Sequence, residues 1–210
     1  MDLKKTILEI IKRLKKEYPE PKTALNFNNP FELLVATILS AQTTDIHVNK
    51  VTERLFKKYK SIKDYAETPL EVLQKDINSI NFYKNKAKNI QASAKIIIEK
   101  YNSQVPKTME DLITLPGVAR KTANIVLSNA FGINEGIAVD THVKRLANRL
   151  GLTKKQDPVE IERDLMDITP KKEWGNLSHL LILHGRKVCQ AKRPNHKECV
   201  LFDICPSKNI

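Results

Sequence analysis

The sequence has no run approaching the roughly 18–20 apolar residues that a membrane span needs. Its opening stretch, MDLKKTILEIIKRLKKEYPEP, is amphipathic rather than a secretion signal. A cytoplasmic protein with no membrane partner is expected. A disulfide framework is missing too, because the three cysteines are odd in number and all fall between positions 189 and 205. Clustered cysteines of that kind are more often metal ligands. Repeats, low-complexity tracts and sustained two-residue alternation are absent, which excludes solenoids, disordered tails and β-sandwiches. Acid is in short supply: 24 Asp and Glu face 36 Lys and Arg, for a net charge of +12 and a pI near 9.5. Such a field attracts polyanions, either nucleic acid or an anionic membrane surface. The run from Arg186 to Lys197 holds five Lys or Arg and no acid, directly beside the cysteines.

What is present reads as helices. Leu3, Ile7, Ile10, Ile11 and Leu14 recur at helical spacing until Pro19 and Pro21 stop them. Asn29-Pro30-Phe31-Glu32, Thr68-Pro69-Leu70-Glu71 and Asp157-Pro158-Val159-Glu160 each place a capping residue, a first-turn proline and a glutamate ahead of an apolar run. Gly132, Gly151 and Gly185 follow periodic segments where left-handed caps are expected. An all-α fold follows, with helices expected near 2–17, 30–41, 45–59, 69–76, 85–101, 108–113, 119–131, 140–150, 158–167 and 174–184.

Two segments point to chemistry. In Leu115-Pro116-Gly117-Val118-Ala119-Arg120-Lys121 a tight turn opens into a helix, leaving backbone N–H groups at the positive dipole end, where a phosphate binds. An ordinary helix corner is the alternative. Near the C-terminus, Cys189, His196, Cys199 and Cys205 are separated by six, two and five residues. Three thiols and an imidazole suit a tetrahedral zinc site or an iron–sulfur cluster.

The motifs LNFNNPFELLVATILSAQTTD, FYKNKAKNI, LPGVARKTAN, GIAVDTHVKRLANR and HLLILHGRKVC, in that order, resemble the endonuclease III family of helix-hairpin-helix DNA glycosylases over nearly the whole chain. The resemblance implies double-stranded DNA carrying damaged bases or abasic sites as partner, a monomer as the acting species, and the nucleoid as its place in a prokaryotic cell. It implies oxidised or ring-saturated pyrimidines as substrates, removed by a bifunctional glycosylase that then cuts the abasic site by β-elimination. Lys121, in the first turn of its helix, is the implied nucleophile that forms a Schiff base with the sugar, and there the helix dipole and Arg120 favour the free amine. A solvated surface lysine is the alternative. Asp140, in VDTHV, matches the family's catalytic aspartate, although capping the next helix would also explain it.

Gly117, Val118, Ala119 and Arg120 are the implied phosphate contacts, with Ala119 standing where the family carries a second glycine. Gln42 occupies the family's gap-filling position, and Phe82 stands where a leucine wedges into the opposite strand; a polar helix end and a buried core ring are the alternatives. The cysteine spacing is that of the family's 4Fe-4S loop with His196 in place of one cysteine, so the cluster is favoured over zinc or a lost metal. The metal's expected role is structural, holding Arg186, Lys187, Lys192 and Arg193 against phosphates. Two helical lobes are expected, 23–135 with the hairpin and 1–22 plus 136–210 with the metal loop, and DNA along the cleft between them. A mismatch or adenine glycosylase is the rival within the superfamily, which Lys121 and the lack of a C-terminal recognition module disfavour. A non-catalytic basic DNA-binding module is the rival outside it.

Overall fold

The structure, a computed structural model, describes residues 2–209, and among these there is no strand. Eleven α-helices follow in order: α1 (Leu3–Glu17), α2 (Pro30–Ser40), α3 (Asp45–Lys58), α4 (Ile62–Glu67), α5 (Leu70–Asp76), α6 (Tyr83–Tyr101), α7 (Met109–Leu112), α8 (Arg120–Phe131), α9 (Thr141–Arg149), α10 (Pro158–Ile168) and α11 (Trp174–Lys187). Single 3-10 turns precede α11 and punctuate the C-terminal loop.

The capping chemistry accounts for most of the starts. Asp2 accepts from the N–H groups of Lys4 and Lys5 at α1, Asn29 from Glu32 at α2, and Asp157 from Val159 and Glu160 at α10. Each satisfies donors that a helix N-terminus leaves orphaned. Thr68 departs from its expected role. It closes α4, a six-residue helix too short to show a period, so Pro69 takes the cap position of α5 and no side chain caps that helix. The start of α4 is nonetheless written in a reciprocal Ser61–Asp64 capping box.

Two units form, each with its own core. In Thr23–Ile133, α2 is central: every residue from Phe31 to Leu39 except Glu32 is buried, because α3, α6 and α8 cover it on different sides. The other unit combines the chain up to Lys22 with everything from Asn134 onward. Here Ile7, Leu14, Val143, Leu146, Leu165, Leu177 and Leu181 bring α1, α9, α10 and α11 together.

Gly132 and Gly151 are left-handed, at φ +67° and +68°. Gly185 is not a cap: α11 runs through it to Lys187. Its hydrogen is needed for close packing, since a Cβ there would lie 3.1 Å from Arg145 Nη2, His142 Nδ1 and Leu146 Cδ1. Gly185→Ala is therefore expected to cost about 1–3 kcal/mol despite alanine's better helix propensity. Urea unfolding measures this, and an unchanged or raised midpoint would show that α9 yields without strain.

Candidate functional site

The hairpin between α7 and α8 is anchored from beneath. Leu115 and Val118 are buried, and Ser93 of α6 donates to the Pro116 carbonyl at 3.0 Å. Gly117 turns the chain at φ +79°, and a Cβ there would come within 2.8 Å of Asn89 Nδ2, so both conformation and space demand glycine. Val118 follows directly after this turn. Its N–H is spent on the Leu115 carbonyl, 3.1 Å away, and its side chain faces the core. Ala119 is the N-cap of α8 in extended conformation and provides no side-chain cap. Arg120 and Lys121 are the first two residues of that helix, and both side chains are exposed.

In the other unit, Asp140 is the N-cap of α9. Its Oδ1 accepts from the N–H groups of His142 and Val143, both at 2.8 Å, while Oδ2 takes no hydrogen bond among the described residues. One oxygen starts the helix and the other keeps its lone pairs unengaged. The preceding strand-like segment is clamped: Ile137 donates to the Glu162 carboxylate at 3.2 Å, and Ser178 donates to the Ala138 carbonyl at 2.9 Å. Beside it the burial of His142 pushes its pKa down, favouring the neutral ring.

Gln42 and Phe82 come together at one end of the Thr23–Ile133 unit. Both are left-handed, at φ +54° and +58°, and both side chains are exposed. Phe82, at 62% exposure, is no core ring. Two residues unremarked as site builders hold this pair. Asn81 Nδ2 donates to the Gln42 carbonyl at 2.6 Å. Lys86 is buried; its Nζ donates to the carbonyls of Leu39 and Ala41 at 2.8 and 2.6 Å, capping α2 where Gln42 emerges. Burial pushes the Lys86 pKa down. The clue lay in helical spacing, which sets Lys86 on one face with Ile90 and Ile97.

Cys189, His196, Cys199 and Cys205 line one small pocket at the end of α11, with Arg149 and Phe202. Arg149 Nη1 donates to Cys189 Sγ at 3.2 Å, and its guanidinium also donates to the carbonyls of Gln190 and Ala191. Buried His184 places Nε2 3.5 Å from Cys199 Sγ. Burial pushes the Cys199 and Cys205 thiols up. Among the described residues no three His, Cys, Asp or Glu side chains converge on a single ion. Arg186, Lys187, Lys192 and Arg193 are all exposed around this loop.

A hairpin helix opening on a lysine, an aspartate with one free oxygen and a cysteine-bearing loop have a counterpart among known proteins. Residues 35–171 match the family model described as the HhH-GPD superfamily base excision DNA repair protein. Endonuclease III of Synechocystis sp. is 52% identical over 204 residues, 97% of this chain and 93% of that protein. The chain belongs to the endonuclease III family. Endonuclease III of Bacillus subtilis is 51% identical over 189 residues, 90% of this chain and 86% of its own. A solved structure titled as a trapped endonuclease III–DNA covalent intermediate, an estranged-adenine complex, superposes with a TM-score of 0.92 at 47% identity, covering 98% of this chain and 96% of that one. As a member of this family, the chain is a base-excision-repair DNA glycosylase with lyase activity at abasic sites, and damaged DNA is its partner.

Proposed function

We propose that Lys121 is the nucleophile of this glycosylase. Its amine attacks C1′ of the damaged nucleoside and the N-glycosidic bond breaks with departure of the base; the C1′–O4′ bond then breaks, opening the sugar to a Schiff base with O4′ as a hydroxyl, and loss of a C2′ proton eliminates the 3′ phosphate. The observation that carries this reading is an exposed lysine at the second position of an uncapped helix that follows the Gly117 turn. Asp140 Oδ2 takes up the proton that the lysine sheds or stabilises positive charge developing on the sugar. Gly117, Ala119 and Arg120 hold a phosphate of the damaged strand, while Val118 anchors the turn from below. Gln42 and Phe82 enter the space vacated by the flipped base and its neighbour. The substrates are oxidised or ring-saturated pyrimidines, and the place of action is the chromosomal DNA. Sodium borohydride reduction on a duplex carrying one oxidised thymine tests the reading. A covalent protein–DNA adduct is expected, and tight binding without an adduct would leave a glycosylase lacking lyase chemistry or a bare DNA-binding module.

Asp140→Asn separates the aspartate's two uses, since asparagine caps a helix about as well. Thermal stability is expected to change little while base release falls about 10²–10⁴-fold, the usual contribution of a general base. A stable variant with full activity would reduce Asp140 to its capping role.

We place a 4Fe-4S cluster at Cys189, His196, Cys199 and Cys205. Three thiols and an imidazole lining one pocket, at the spacing of the family's cluster loop, support this placement. When bound, it supplies rigidity to a loop whose hold on the core is Leu201 and the residues packed around it. The loop then presents Arg186, Lys187, Lys192 and Arg193 to phosphates, so neutralising Lys192 and Arg193 is expected to reduce the slope of log affinity against log salt by about 2. A slope equal to that of the natural protein removes the loop from the DNA interface.

A further inference from the structure

Among the described residues four non-glycines hold a left-handed backbone, and two of them are Gln42 and Phe82. A long or bulky side chain stays in that region only where its surroundings hold it there, and such strain gathers at working sites. The two turns are in fact bonded to each other.

Phe82 is the N-cap of α6 and has no side-chain cap. Its carbonyl accepts from the Lys86 N–H, one turn on, at 3.1 Å. The Lys86 side chain crosses to the other turn, where its ammonium donates to the Leu39 and Ala41 carbonyls and lies 3.5 Å from Thr43 Oγ1. One residue thus bonds the Phe82 turn through its backbone and the Gln42 turn through its side chain. Asn81, next to Phe82, donates to the Gln42 carbonyl itself at 2.6 Å. A third link joins the start of α3 to the same segment. His47 Nε2 lies 3.0 Å from the Ser79 carbonyl, which only accepts, so the ring donates from Nε2.

Nearly all the acceptors are backbone carbonyls, so these links fix the path of the chain. Lys86 also makes the arrangement hard to leave. It is 6% exposed, and a buried ammonium is costly unless its donors are satisfied. The Gln42 turn cannot swing away from α6 without stranding that charge. Extruding a stacked base requires its place to be filled. Side chains on two independent loops would each have to be ordered at that moment, whereas side chains on one fixed mount arrive already ordered.

With Gln42 and Phe82 in their proposed filling role, on which this inference rests, we propose that Asn81, Lys86 and His47 are positioning residues that hold the two as a single pre-set wedge. Gln42 and Phe82 then enter the duplex together, and the brace acts on base extrusion, not on the chemistry at the sugar.

The test measures single-turnover base release by the full chain from two substrates. In one, an oxidised thymine is fully paired; in the other, the same lesion sits in a one-nucleotide bulge, which has no opposite base to support. Asn81 is exposed, so Asn81→Ala should keep the natural melting temperature. It should slow release from the paired duplex about five- to tenfold, the scale of one lost hydrogen bond, and slow release from the bulge several times less. Lys86→Met should show the same split about tenfold or more on the paired duplex, and Asn81→Ala carries the test if Lys86→Met does not fold. Natural rates for Asn81→Ala on the paired duplex, or equal losses on both substrates, would overturn the brace. Gln42→Ala with Phe82→Ala separates the two readings. If that double variant is slow on the paired duplex while Asn81→Ala is not, the filling role stands and the brace falls. If the double variant itself releases the paired lesion at the natural rate, the filling role falls and takes the brace with it.

Discussion

Lys121→Ala is expected to abolish borohydride-trappable adduct and to lower strand cutting at an abasic site by about a thousandfold or more, while lesion binding stays within a few-fold of the natural protein. The expectation is sharp because the fold has little at stake at this position. The side chain is exposed, it makes no hydrogen bond or ion pair among the described residues, and alanine is the best helix former for the first turn of α8. The hairpin's own integrity rests elsewhere, on Gly117, on the buried Leu115 and Val118, and on the Ser93 bond to Pro116. A fall in activity without a fall in melting temperature therefore reports lost chemistry. Retained cutting and trapping by the variant would transfer the Schiff base to another amine and sink the assignment.

The second large effect is expected at the metal loop. Cys199→Ala should yield protein with little iron, a melting temperature lowered by roughly 10 °C, and DNA binding weakened about tenfold or more at physiological salt. Leu201 is buried in the core of this unit, and Cys189, Cys199, Ile204 and Cys205 pack against that core, so a loosened loop opens apolar surface as well as dispersing its cations. His196→Cys is the opposite change. It completes four thiolates, and it should retain iron at least as well while lowering the reduction potential, because a thiolate brings negative charge that an imidazole does not. Iron and acid-labile sulfide analysis with electron paramagnetic resonance reads both variants. Zinc without iron in the natural protein would replace the cluster with a mononuclear site.

Helix starts were the most legible part of the sequence, because capping is local: Asn29, Asp140 and Asp157 each bond within three residues of themselves. Errors arose where a local pattern had two uses. Thr68 precedes a proline and so resembles a cap, yet it is spent on closing α4. Gly185 follows an apolar period and resembles a stop, yet it serves the contact of α11 with α9. The candidate site was legible as residue types at given spacings, whereas its supports were not. Lys86 reaches Ala41 across 45 positions, Asn81 reaches Gln42 across 39, and Arg149 reaches Cys189 across 40. No window of sequence contains such pairs. Lys86 is hidden from composition for the same reason, since a charge count registers the ammonium and not the carbonyls that surround it.

The division of labour within Asp140 also has an evolutionary side. Exchanging one carboxylate oxygen for an amide nitrogen leaves the start of α9 intact, and it leaves the hairpin, the Gln42–Phe82 end and the basic loop untouched. With Asp140 in its proposed role, a lineage can pass from enzyme to damage-binding scaffold by a single-codon change that selection on folding does not detect. Descendants of such an event would keep almost every motif by which their relatives are recognised, and the identity of residue 140 would be the mark that separates them.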